Sequence, residues 1–116
     1  LNKEIGDTPT GRIYTRIFRR KSIGSLRFNE DINISEDTLF MIDYTMKNPK
    51  IGVVNKVWYN YYKNTYSITS KSKTELQGKV REFKKEIKKR LEEETRPIVK
   101  LAYNKRIEKI NRFFEK

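Results

Sequence analysis

The sequence predicts an α+β chain, and three observations predict it. A run of β-branched and aromatic residues, IGVVNKVWYNYY from Ile51 to Tyr62, reads as a strand or, with a bend at Asn55 and Lys56, a bent pair of strands. A segment opening at Ser35, Glu36 and Asp37 and running to about Lys47 has the composition of a buried helix. After Ser70 two apolar stripes at helical spacing follow, separated by Pro97. The chain therefore divides into a strand-containing unit over residues 1–70 and a basic amphipathic helical tail over residues 71–116.

Taken in order, Thr8, Pro9, Thr10 and Gly11 form a turn-like stretch. Arg12 to Phe18 alternates Ile13, Thr15 and Ile17 with Tyr14, Arg16 and Phe18, a pattern open to a short strand or to the first turn of a helix. Ile23 to Phe28 reads as a short extended segment. Ser35 is placed as N-cap of the next helix, with Glu36 and Asp37 suited to the positive end of the helix dipole. Leu39, Phe40, Met41, Ile42, Tyr44 and Met46 surround its axis, so it should be buried on more than one side, and Pro49 ends it. Ser67 to Ser72 is a polar loop. Leu76, Val80, Phe83, Ile87 and Leu91 then form one stripe, and Val99, Tyr103, Ile107, Ile110 and Phe114 form the second. Proline is tolerated in a helix's first turn, so Thr95, Arg96 and Pro97 most simply mark one helix ending and another beginning, which makes the tail a helical pair or one kinked helix.

Composition narrows the chemistry. The chain has 116 residues with neither cysteine nor histidine. Thiol catalysis, disulfides and thiolate metal sites are excluded, and the commonest catalytic base and metal ligand is missing. Any chemistry must run on carboxylates, hydroxyls and cations. A net charge of +12 is concentrated after Ser70, where 16 basic residues meet 8 acidic ones. There the signs interleave, as on a solvated helix face. A basic balance also suits a nucleic acid or an anionic surface. Codon bias offers a plainer origin, since Lys, Asn and Ile make up 39 of the residues. No run of 18 apolar residues occurs and no basic-then-apolar leader opens the sequence, which predicts a cytoplasmic protein. Leu at position 1 reads as the start of a piece of something longer.

Read together, GRIYTRIFRRKSI, LRFNEDI, SEDTLF, VVNKVWYNYYKN and SIT, over about residues 11–69, resemble in order and spacing the second half of the catalytic domain of the bacterial family 2 glycosyltransferases. These are inverting enzymes of GT-A type that build polysaccharides and cell-surface glycans. Tyr14, Arg16, Ile17, Phe18, Arg19 and Arg20 fit the family's basic-aromatic segment, and Phe28 its strand end. Glu36, Asp37 and Phe40 match the acidic pair before a buried helix, and Trp58 to Tyr62 with Ser67 to Thr69 match the Tyr-rich strand and its exit.

The resemblance implies the C-terminal, acceptor-side half of a GT-A type α/β domain, few-stranded with one buried helix. It implies transfer of a sugar from a nucleotide-sugar donor to a glycan or lipid-linked acceptor. Asp37 then matches the general base on the acceptor hydroxyl, with Glu36 as its substitute or orienting neighbour, and the amides of a helix N-terminus favour its charge. Arg16, Arg19 and Arg20, with Tyr14, would bind substrate, the guanidinium groups neutralising a diphosphate. A plainer assignment makes Glu36 and Asp37 first-turn acids and the arginines a solvated turn. No Asp-x-Asp metal motif and no Gln-x-x-Arg-Trp motif occurs, so a divalent Mn or Mg ion is expected in a missing N-terminal half and none in this piece, which alone should not turn over. Homo-oligomerisation, or contact of the tail with the inner face of a membrane, are the expected associations. The competing class is a small basic binding module for nucleic acid or an anionic surface.

Overall fold

The computed structural model describes residues 12–57, 59, 60, 62 and 72–115. A 3-10 turn spans Ile13–Thr15, and four helices follow among the described residues: α1 (Arg20–Ile23), α2 (Glu36–Lys47), α3 (Lys73–Glu93) and α4 (Pro97–Glu115). No strand and no sheet form among them, which overturns the α+β expectation and with it the half GT-A sheet. The physical reason lies in pairing. A strand is completed only by hydrogen bonds to a neighbour. The first candidate neighbour, Ile23–Phe28, is broken where α1 closes and Gly24 turns the chain at a φ of 55°, a conformation that suits glycine alone among common residues. With no edge beside it, the described part of Ile51–Tyr62 stays outside any ladder and exposed. The predicted turn at Thr8–Gly11 and the Ser67–Thr69 exit lie outside the described residues.

Helix α2 forms where the sequence places it, but its start differs. Ser35 adopts the left-handed conformation (φ 62°, ψ 21°) and makes no side-chain cap bond. An N-cap hydroxyl reaches first-turn amides from extended backbone, which Ser35 lacks. Asp37 instead accepts from the Thr38 N–H through Oδ1 at 2.7 Å. Helix α3 is capped conventionally: Ser72 Oγ accepts from the Glu75 amide, the first half of a capping box. Pro97 opens α4, where its missing N–H costs no helical bond.

Packing explains why α2 is apolar all round. Leu39 and Ile42 turn toward the antiparallel pair α3 and α4, joining one core with Phe83, Ile87, Val99, Ala102, Tyr103 and Ile110. Met46, Val80, Leu91, Ile107 and Phe114 pack at its margin. The core thus runs across residue 70. The opposite side of α2 meets the N-terminal segment through rings: Phe28 stacks on Phe40 with centroids 4.5 Å apart, and Phe18 stands edge-on to Tyr44 at 4.9 Å. Each such pair adds about 0.5–1.5 kcal/mol beyond the area it buries. Deeper burial does the rest, since Ile42 and Ile87 are fully enclosed.

One polar joint ties α2 to α3. Arg90 of α3 donates through Nε and Nη2 to both carboxylate oxygens of Asp43 on α2, at 2.9 and 2.7 Å, and through Nη1 to Glu86 one turn back at 2.9 Å. These two carboxylates raise the affinity of the Arg90 guanidinium for its proton, the Asp43 bond contributing most. Burial raises the pKa of neighbouring Tyr103, so it sits in the core as a neutral phenol. Across the α3–α4 turn, Glu94 takes a fork from Arg96 together with the Thr95 and Arg96 amides, which holds its pKa down at about 2.

Candidate functional site

Asp37 occupies the first turn of α2, half-buried, with the buried residues Leu39 to Ile42 directly behind it. The turn that carries it is therefore clamped from both sides of the helix. Its Oδ1 is engaged by the Thr38 N–H at 2.7 Å and the Thr38 hydroxyl at 3.4 Å. Among the described residues Oδ2 takes no hydrogen bond, which leaves a lone pair for an incoming donor. Glu36 precedes it, also half-buried.

The basic-aromatic segment divides. The 3-10 turn holding Tyr14 packs against α2, and Phe18 packs on Phe40 and Tyr44 of that same helix. Arg16, half-buried, lies between these two anchors. Tyr14 is committed on two sides: its hydroxyl accepts from Arg12 at 2.7 Å and its ring stacks on Tyr59 at 4.7 Å. Arg19 and Arg20 are exposed at the start of α1, and neither joins a carboxylate among the described residues. The structure thus brings Tyr14 and the Arg16 backbone to the helix that carries Asp37 and leaves Arg19 and Arg20 in solvent.

Two features escaped the sequence. The Arg90–Asp43 fork spans 47 positions, so only its local half, Glu86 and Arg90 at i,i+4, was legible. Arg106 lies on the buried face of α4, 5% exposed, whereas the stripe read from the sequence passes through its neighbour Ile107. No group of three or more acidic side chains able to hold a metal occurs among the described residues. The divalent ion implied by the resemblance therefore has no fitting ligand set in them, and no step is routed through it. No helix among the described residues is long and apolar enough to cross a membrane. No protein-family model, no curated protein and no solved structure matches the chain.

Proposed function

We propose that this chain supplies the acceptor side of an inverting glycosyl transfer, with Asp37 as general base. The acceptor hydroxyl oxygen attacks the anomeric carbon, the bond from that carbon to the nucleoside diphosphate breaks, and the hydroxyl proton passes to the Asp37 carboxylate. Glu36 orients the site beside it. Arg19 and Arg20, exposed at the start of α1, would meet the donor's phosphates or the acceptor, with Arg16 and Tyr14 on the segment packed against α2 lining the approach.

The observation that carries this reading is a first-turn carboxylate with one oxygen fixed and the other open, on a helix clamped by core packing on both sides. A general base must be held within hydrogen-bond reach of its proton, and such a clamp meets that demand. The ordered resemblance over residues 11–69 supplies the reaction class.

The test is nucleoside diphosphate release by the full-length polypeptide across a panel of nucleotide-sugars with Mn²⁺ or Mg²⁺, for the wild type and Asp37→Asn. Loss of about 100-fold or more is expected with the melting temperature little changed. Turnover unaffected by the substitution would leave Asp37 as a helix-start residue, and no turnover with any donor would overturn the reading.

A further inference from the structure

Between Asp43 and Glu75 the sequence contains no acidic residue. The 31 positions from Tyr44 to Thr74 hold six lysines. Within this window every described residue from Lys50 onward is exposed. Val53 is 91% exposed and Val57 89%, with Ile51, Val54 and Tyr62 also open to solvent. Scattered exposed apolar residues are ordinary, but a contiguous set of β-branched ones left in water marks a surface with a partner.

The segment is placed by its ends. Asn48 donates from Nδ2 to the carbonyls of Ser22 and Tyr44, which fixes where the chain leaves α2. Eleven positions on, Tyr59 is stacked on Tyr14. Between these two ties, Val53, Val54 and Val57 stand beside Lys50 and Lys56, all exposed.

The partner must gain from both cations and aliphatic groups. A nucleic acid could use the lysines and the open ring of Tyr62, but it would leave the row of valines largely in water. A second copy would bring another +12 against this one. An anionic lipid surface accepts both groups, phosphates for the lysines and the acyl boundary for the valines, at a depth where unpaired backbone still meets water. We propose that residues 50–57 seat this chain on an anionic lipid surface. The proposal is independent of the glycosyl-transfer reading.

The test is co-sedimentation of the chain with phosphatidylcholine vesicles, with and without about one third phosphatidylglycerol. Emission of Trp58, the one tryptophan in the chain, is recorded in parallel. The wild type should pellet with the anionic vesicles alone and its emission should shift to the blue. Lys50→Glu with Lys56→Glu should lower partitioning at least tenfold, since one lysine near such a surface contributes about fivefold. Val53→Ser with Val57→Ser should also weaken it several-fold without altering the melting temperature. A charge control, Lys88→Glu with Lys89→Glu on the exposed face of α3, should lose far less. Equal loss in that control, wild-type binding by the valine variant, or no binding by the wild type would each overturn the proposal.

Discussion

The three-helix core and the segment at residues 50–57 contain similar residues and meet opposite fates. Ile42, Ile87 and Val99 are enclosed, whereas Val53 and Val57 lie in water. Hydrophobicity does not separate these sets; the availability of a neighbour does. A helix satisfies its own backbone and needs only one apolar face covered, which α2, α3 and α4 provide for one another. An extended run of the same residue types needs a second strand for its amides and a face for its side chains, and no strand pairs with it among the described residues.

The comparison breaks most sharply in the core. Ile87→Ala should cost about 2–5 kcal/mol, because a fully enclosed side chain between three helices leaves a cavity when truncated. Urea unfolding followed by circular dichroism measures it, and a cost within about 0.5 kcal/mol, the range of an exposed position, would mean the core is not packed as described.

A smaller effect is expected at the polar joint. Asp43→Ala leaves Arg90 with Glu86 alone and should cost about 1–3 kcal/mol, less than for a fully buried pair because both side chains keep some solvent contact. A double-mutant cycle with Arg90→Met separates the pair's coupling from the loss of either side chain, and a coupling near zero would remove the joint from the account.

The smallest effect is local. The Glu94 pKa is lowered from 4.5 to about 2 by the Arg96 fork and its backbone amides. A depressed carboxyl pKa gives stability that is present above the unfolded value and lost as pH falls through the folded one. The melting-temperature advantage of wild type over Glu94→Gln should therefore hold above about pH 5 and fade between about 4.5 and 2. An advantage independent of pH across that window would assign it to packing instead.

Much of the helical part was legible because its determinants are local. The stripes from Leu76 to Leu91 and from Val99 to Phe114, with Pro97 between them, fix α3 and α4 within a few residues, and the all-round apolar surface of α2 announced a helix packed on two sides. Asp37 was likewise legible as a first-turn acid. Less legible were the contacts that tie distant positions: Phe28 on Phe40, Tyr14 on Tyr59, and Asp43 on Arg90. Spacing along the chain carries no record of these pairings.

The sequence by itself determined the charge excess, the chemistry left open without cysteine or histidine, and the positions of the three long helices, since each follows from composition or from a period of 3.6 residues. Tertiary structure alone decided that Ser35 turns left-handed and makes no side-chain cap bond, that Arg106 is enclosed, and that the best strand composition in the chain forms no described strand. The reason is common to all three. Helix formation is settled by bonds within four residues, while a strand, a buried cation and a cap geometry are settled by what the rest of the fold places beside them.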